Sequence, residues 1–307
     1  MGWRLKSFQF KLFSALPGGT RIYNFAQDHI TKSTHASGPR VDQKINVGLE
    51  FWDWLKRQNI SEHLVQGRLL DIGSGWHPTI PLLWHSFGNN HQTLADICPN
   101  MNGRQVADTI KYFREVVENP NWSHCAALKR IPEMPAIADS DATSALKPLG
   151  IRYEAPYGDY LQQQPNHFDM VICTQVLQHI PKVVHLAIFK ELFHCMKPGG
   201  LFHATVHFVG QFRSPDLRKG QYEHLTPSPA IWNGWINSSL MSFNRLKAPD
   251  YRETLEQSGF RIREFKLVGP TAEDLAELKR TKVHPSFSHY SEQDLATRGV
   301  FFVAEKP

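Results

Sequence analysis

Short apolar runs alternate along this chain with longer segments whose apolar residues follow helical spacing. The runs are predicted to be buried strands, because they are strongly apolar and too short for helices. They are LLDI from residue 69, TLADI at 93–97, IRYEA at 151–155, FDMVICT from 168, LFHATVHF from 201, FRIREFKLVG at 260–269 and GVFFVAEKP at 299–307. This alternation predicts an α/β fold with a doubly wound sheet.

Two helices are predicted before the first strand. The first has apolar positions at helical spacing up to a PGG breaker, at Leu5, Phe8, Leu12 and Leu16. The second is expected over residues 41–58. We therefore divide the chain into an N-terminal helical cap, residues 1–60, and a core, residues 61–307. The first helix is also aromatic and basic, which leaves contact with a membrane surface open as an alternative.

Two stretches are longer than a doubly wound fold requires. A crossover between parallel strands needs about a dozen residues, and a helix predicted over 106–119 fills only part of the first stretch. We expect insertions at about 100–150 and 209–250. The second is rich in aromatic residues, prolines and polar groups. That mixture is typical of a lid over a pocket.

The segment LLDIGSGWHP, residues 69–78, carries the most specific chemistry. Gly73 and Gly75 open a tight turn after a strand, where the backbone must adopt unusual dihedrals and approach a ligand closely. A dinucleotide-binding turn would carry a third glycine, but this chain has Pro78 at that position. The turn therefore argues against nicotinamide dinucleotide binding.

An acidic residue two positions before G-x-G resembles motif I of the class I S-adenosylmethionine (SAM) methyltransferases. TLADI, FDMVICTQVLQHIP and MKPGGLF resemble later motifs of that family and follow in the expected order across residues 67–208. The resemblance implies a Rossmann-like, seven-stranded sheet whose seventh strand is antiparallel. It also implies SAM as the cofactor and S-adenosylhomocysteine as the product.

The resemblance carries over to particular positions. It places Asp71, Gly73, Ser74 and Gly75 around the methionine part of SAM, Asp96 and Ile97 at the ribose and the adenine edge, and Thr174 and Gln175 beside the methionine moiety. An aspartate after the second strand suits a ribose, because its two oxygens accept hydrogen bonds from both hydroxyl groups.

The methylated atom is less well defined by the sequence. An oxygen acceptor of high pKa benefits from a general base, and His179 and His207 follow the fourth and fifth strands. We expect oxygen methylation of a small polar, anionic metabolite. Substrate contacts are predicted in the lid at Tyr222, His224, Trp232 and Arg213. The alternative is sulfur or nitrogen methylation of an amino acid such as methionine, by proximity and desolvation alone.

Composition and motifs also help to distinguish the remaining classes of function. The net charge of +5 is compatible with a polyanion, but no dense basic stripe occurs, and CTQV replaces the signature typical of base-methylating enzymes. A nucleic-acid methyltransferase and a non-catalytic SAM-binding protein remain alternative hypotheses for the function. His203 and His207 would lie about 13 Å apart on a strand, too far to share a metal ion.

The location is predicted from cysteine usage and from apolar run lengths. The four cysteines form no C-x-x-C pair, and no apolar run reaches the roughly 18 residues of a membrane helix. Charges at Arg4, Lys6 and Lys11 interrupt the N-terminal segment, which therefore lacks the continuous core of a signal peptide. We expect a cytoplasmic protein.

Overall fold

The computed structural model describes residues 38–117, 141–210, 220–238 and 242–307. The predicted first helix, containing Leu5 and Leu16, and the predicted substrate contact Arg213 lie outside these ranges. So does the middle of the first expected insertion. Within the described ranges, no helix is long and apolar enough to cross a membrane.

The described chain contains seven strands and ten helices. The strands are β1 (Leu69–Ile72), β2 (Gln92–Ala95), β3 (Ile151–Glu154), β4 (Phe168–Thr174), β5 (Met196–His207), β6 (Arg261–Val268) and β7 (Gly299–Glu305). The helices are α1 (Gly38–Arg57), α2 (Ser61–Val65), α3 (Thr79–Phe87), α4 (Gly103–Val117), α5 (Ala142–Leu146), α6 (Lys182–Cys195), α7 (Pro229–Ile231), α8 (Ala248–Gln257), α9 (Ala272–Arg280) and α10 (Glu292–Ala296).

Shorter helical turns complete the fold. Four of them are 3₁₀ turns, at Lys147–Leu149, Leu177–His179, Glu223–Leu225 and Pro285–Phe287, and the segment Trp232–Ile236 is a π-helical turn.

The strands form one sheet in the order β3-β2-β1-β4-β5-β7-β6. β1 pairs in parallel with both β2 and β4, so the strand order reverses direction at β1, where open α/β sheets bind their ligands. β7 runs antiparallel to β5, because Gly199 N donates to Lys306 O and Phe208 N donates to Arg298 O. The predicted Rossmann-like topology is confirmed.

Two element boundaries differ from the prediction. β2 ends at Ala95, so Asp96 lies just beyond the strand. β5 begins at Met196, although Pro198, Gly199 and Gly200 were expected to form a turn before a strand from Leu201. The glycine pair remains in the sheet because Gly199 N donates to Lys306 O, and Lys306 N donates to Gly200 O.

The chain divides into two compact units. The first unit comprises Ser33–Thr174, Glu191–His203 and Ala304–Pro307. Its core joins Val41 and Ile45 of α1 to Leu83 of α3 and Phe113 of α4. Gly48 permits a close approach of α1 to α3, because a Cβ atom there would lie 2.4 Å from Leu83 Cδ2.

The second unit comprises, among the described residues, those of Gln175–Lys190 and of Ala204–Val303. Residues from the described part of the expected lid contribute to its core. The packed cluster contains Tyr222, Leu225, Leu278, Phe287, Leu295 and Ala296. The Tyr222 hydroxyl donates to Ala296 O at 2.7 Å. Burial of the aromatic residues explains why this segment is rich in them.

Lys247 is a fully buried cation in the second unit. Its Nζ donates to the carbonyl oxygens of Phe208 and Leu295, each at 3.3 Å, and lies 5.7 Å from the centre of the Phe208 ring. Burial lowers the pKa of Lys247 to about 7, although Asp250 and Asp294 favour the charged form. The charged side chain is therefore expensive to bury at neutral pH.

We expect Lys247→Met to change how stability depends on pH. The folded-state pKa is depressed, so the contribution of Lys247 is most favourable above pH 10.5 and is lost as the pH falls through about 7. The melting temperature of the variant should therefore rise relative to wild type as the pH falls from 10 to 6. Thermal unfolding at several pH values measures this difference. A constant difference would contradict the buried-cation assignment.

Candidate active site

The turn after β1 leaves space above the end of the strand. Gly73 and Gly75 have φ angles of 74° and 68°, in the region that favours glycine. A Cβ atom on Gly75 would meet only Gly73 O, at 3.9 Å. The neighbouring Ser74 is buried, and its Oγ has no hydrogen-bond partner among the described residues. A backbone turn with open space and an unsatisfied hydroxyl is suited to a ligand.

Asp96 connects this turn to the end of β2. Its Oδ2 accepts from Gly75 N at 2.9 Å, and its Oδ1 accepts from Cys98 N at 3.2 Å. These bonds fix the carboxylate while leaving each oxygen a second lone pair for a hydroxyl donor. Ile97 follows with 74% of its surface exposed, which makes an apolar face available beside the carboxylate.

Lys44 of α1 belongs to the same site and was missed by the sequence analysis. It is half-buried, and Asp71 and Asp96 act electrostatically on its ammonium group. Burial lowers the pKa of Lys44, and the two carboxylates oppose that shift. The only sequence signal was a lysine directly before the buried Ile45, which does not indicate what the helix packs against.

Asp71 is the carboxylate that burial affects most. It is 4% exposed, and desolvation raises its pKa to about 7; Lys44 lowers the pKa, and Asp96 raises it further. Two close carboxylates beside one cation leave this site with excess negative charge when both are ionised. A ligand that carries a positive group would stabilise the ionised pair.

These groups fit the cofactor that the resemblance implies. SAM carries positive charge on its sulfonium and its amino group, and its ribose offers two hydroxyl donors. Asp71 and the glycine turn would hold the amino-acid part, and Asp96 would hold the ribose. Thr174, at the end of β4, is also buried, with its Oγ1 lacking a partner among the residues described. It remains a predicted contact to the methionine moiety.

His179 has a defined tautomer in the second unit. Its Nδ1 lies 2.6 Å from Ser242 O, and a carbonyl oxygen only accepts, so the proton resides on Nδ1. The lone pair of the neutral ring is therefore on Nε2, the atom that a general base needs. Burial lowers the pKa of His179. Asn244 Nδ2 supports the turn by donating to Leu177 O and Ile180 O, both at 2.9 Å.

His207 is placed differently. The amide nitrogen of Gln175 lies 3.2 Å from His207 Nε2 and, as a donor, engages the lone pair of that atom. Gln175 itself has a φ angle of 57°, a conformation that costs free energy for a residue with a side chain. His207 also lines a cavity of about 750 Å³, together with Gln221, Thr271, Glu277, Arg280 and Arg298, among others.

Tyr222, His224 and Trp232, three of the predicted substrate contacts, do not line that cavity. All three are buried. His224 Nδ1 donates to Gln221 O at 3.0 Å, and Trp232 Nε1 donates to Phe243 O at 3.0 Å, whereas His224 Nε2 has no hydrogen-bond partner among the described residues. The three residues remain predicted substrate contacts. Gln221, which the sequence analysis did not select, lines the cavity instead.

No group of three or more histidine, cysteine, aspartate or glutamate side chains that could hold a metal ion occurs in the part of the chain that the structure describes.

Comparison with known families identifies the family of the chain. A family model described as a methyltransferase domain matches residues 48–264, which is more than half of the chain. The matched range includes β1 to β5 and the first half of β6, together with the glycine turn, Asp96 and His179.

Individual relatives are more distant. A ubiquinone biosynthesis O-methyltransferase from Xylella fastidiosa is 31% identical over 86 residues, which are 28% of this chain and 34% of the relative. The match therefore spans about a third of that relative's length.

Two solved structures also resemble parts of the chain. A SAM-dependent methyltransferase from Mesorhizobium loti is 15% identical, with 83% of this chain and 97% of that chain covered and a TM-score of 0.41. A protein from Galdieria sulphuraria, provisionally named a sarcosine dimethylglycine methyltransferase, is 14% identical. The match covers 89% of this chain and 92% of that chain, with a TM-score of 0.42. Scores this low carry no argument, and the assignment rests on the family model.

Replacing Asp96 by alanine should weaken S-adenosylhomocysteine binding by about 1–3 kcal/mol, because the ribose hydroxyls lose a charged acceptor. Isothermal titration calorimetry measures the change. Asp53→Ala is the matched control, since Asp53 is an exposed carboxylate of α1 that pairs with Lys56. Equal affinities for the Asp96 variant and wild type would exclude the ribose contact.

The affinity for S-adenosylhomocysteine should also fall as the pH drops through about 7. Asp71 is protonated below this value in the free protein, whereas the ligand's amino group favours the ionised form, so binding near neutral pH should release a proton. The slope should not exceed tenfold per pH unit for one group. Calorimetry in buffers of different ionisation enthalpy detects the proton. The same pH slope in Asp71→Asn would show that another group is responsible.

Proposed function

This chain belongs to the class I SAM-dependent methyltransferases, and we propose that it methylates an oxygen atom of a small, polar, anionic metabolite. SAM, when bound, supplies an activated methyl group on its sulfonium. The protein's own residues must therefore bind and orient an acceptor, exclude water and, for an acceptor of high pKa, remove its proton.

The tautomer of His179 is the observation that carries this proposal. Its Nδ1–H group donates to Ser242 O, which fixes the ring orientation and gives Nε2 the character of a proton acceptor. A base of this kind is of use only if the acceptor has a proton to lose, as a hydroxyl group has. Because burial lowers the pKa of His179, the ring is neutral at physiological pH and ready to act.

His207 is the second candidate for the base. Gln175 engages its Nε2, so proton transfer to that atom would first require the amide to move. We therefore assign the proton transfer to His179. His207 instead lines the cavity, with its ring held by Gln175, and would orient the acceptor.

Size and sequence similarity support a small oxygen acceptor. The cavity of about 750 Å³ that His207 lines lies in the range typical of small-molecule sites. The Xylella fastidiosa relative is named a ubiquinone biosynthesis O-methyltransferase. That similarity covers only part of either chain, so it supports oxygen as the methylated atom and does not extend to the same substrate.

One observation favours the alternative, sulfur or nitrogen methylation of an amino acid. Gln175 engages the lone pair of His207 Nε2, so this cavity-lining histidine is not set up as a base. A mechanism by proximity and desolvation alone needs no base. A thioether has no proton to remove, so this mechanism would not need His179 as a base.

Methyl transfer from labelled SAM into the acidic small-molecule fraction of a cell extract should identify the acceptor and the methylated atom. On that acceptor, His179→Asn should lower kcat/KM by about 10²–10⁴-fold, because the amide can still donate to Ser242 O but cannot take a proton. The acidic limb, expected below pH 6.5 since the pKa of His179 is lowered, should disappear in this variant.

His207→Asn and His289→Ala serve as comparisons, the latter replacing an exposed histidine. His207→Asn should change KM more than kcat, whereas His289→Ala should change neither KM nor kcat. Near-full turnover in His179→Asn, or label on sulfur or nitrogen, would favour the proximity mechanism.

A further inference from the structure

Arg245 is a buried cation that belongs neither to the turn after β1 nor to the cavity that His207 lines. It is 7% exposed and precedes α8 in the second unit. Its Nη1 donates to Pro227 O at 2.9 Å and to His224 O at 3.4 Å. Both bonds involve one nitrogen, so backbone carbonyls satisfy one corner of the guanidinium group.

Two aromatic rings hold the guanidinium plane. Its Cζ lies 4.7 Å from the centre of the Trp232 ring and 4.9 Å from that of the Phe287 ring. The indole of Trp232 is itself fixed, because its Nε1 donates to Phe243 O. A cation between two anchored rings has little freedom to turn. The orientation of its remaining N–H groups is thus set before any ligand binds.

The charge of Arg245 has no anionic partner in the described part of the chain. Other arginines of the protein do have one: Arg298 lies 3.3 Å from Asp274, and Arg152 pairs with Glu154. Burying an unpaired ion costs several kcal/mol even after relaxation. Burial lowers the pKa of Arg245 to about 10, and no carboxylate opposes the shift.

The surroundings add positive charge rather than remove it. Lys247 and Arg245 both lower the pKa of His224, after burial as the larger cause, so the two cations act on the same small region. His224 is consequently neutral. Asp250 and Asp294 act on Lys247, whereas no carboxylate acts on Arg245, so Arg245 is the cation of this region whose charge is left for an anion to neutralise.

We propose that the edge of Arg245 formed by its Nε and Nη2 binds the carboxylate group of a small anionic ligand. This edge carries two parallel N–H bonds, which match the two oxygens of a carboxylate. Arg245 is not among the residues that line the cavity assigned above to the acceptor, so the inference goes beyond the proposed function and names a separate anion site. A carboxylate held there would neutralise the buried cation.

The competing explanation is that Arg245 only joins Trp232 to Phe287 as a packing element. The two explanations differ in the effect of removing the charge. A packing cation stabilises the protein without a ligand, so Arg245→Met should then lower the melting temperature. An unpaired binding cation destabilises the ligand-free protein, so the same substitution should leave the melting temperature unchanged or raise it.

The test uses the full chain saturated with S-adenosylhomocysteine and titrated with benzoate, with benzamide as the neutral probe of the same shape. Sodium chloride at matched ionic strength controls for screening. We expect benzoate to bind with a Kd of about 1–10 mM, as suits so small a ligand. Benzamide should not bind. Calorimetry and thermal unfolding provide the readouts.

Arg245→Lys should weaken benzoate binding about tenfold, because a lysine ammonium cannot form the bidentate pair, and Arg245→Met should abolish it. Arg252→Met is the matched control, since Arg252 also stacks on a ring, that of Phe265 at 4.2 Å, yet it should bind benzoate as wild type does. Inorganic phosphate tests the other common oxyanion.

Several outcomes would overturn the inference. These are equal binding of benzoate and benzamide, unchanged benzoate affinity in Arg245→Lys, or binding of phosphate without benzoate. The affinity for S-adenosylhomocysteine is measured in the same samples and separates the two claims. If it is retained while benzoate fails, only the carboxylate site is wrong. If S-adenosylhomocysteine itself does not bind, the proposed function fails.

Discussion

The placement of ionised groups away from water is the constraint on which the rest of this structure depends. In the first unit, Asp71 and Asp96 lie at the ends of β1 and β2 with Lys44 as their cation, and the surrounding protein makes their mutual repulsion stronger than it would be in solvent. Such an arrangement is stable only if further positive charge can join it. The cofactor's sulfonium and amino group would meet that need, so the same electrostatic cost that opposes folding would favour binding.

The second unit also buries charged groups, but these groups are cations. Lys247 is buried against two carbonyl oxygens, and Arg245 is enclosed by aromatic rings. Carbonyl oxygens and ring faces stabilise a cation only partly. Buried positive charge is thus a property of this unit, as buried negative charge is of the cofactor turn. The turn after β1 and the surroundings of Arg245 therefore contain buried charge of opposite sign.

The sheet was predicted correctly from the sequence, and the glycines of the turn after β1 have the dihedral angles expected of them, because both features depend on local patterns. Apolar runs define strands, and the G-x-G turn after Asp71 requires glycine for its dihedrals. Asp96 could be placed because parallel strands end at the same edge of a sheet. The substrate contacts remain predictions. Tyr222 and Trp232 were selected for being aromatic and polar, and buried packing residues share these properties. Whether such a residue faces a cavity depends on contacts distant in sequence.

Lys44 also shows that local sequence does not reveal contacts between distant segments. Nothing in its own segment indicates two carboxylates that follow much later in the chain. Its position depends on Gly48, whose missing side chain lets α1 approach Leu83, at a cost of roughly 1 kcal/mol of helix propensity relative to alanine. Helix α1 is consequently held by tertiary contact more than by its own preference. A chain in which β1 and β2 had paired before α1 docked would hold two facing carboxylates without their cation. The two carboxylates therefore have their cation only when α1 is docked on α3.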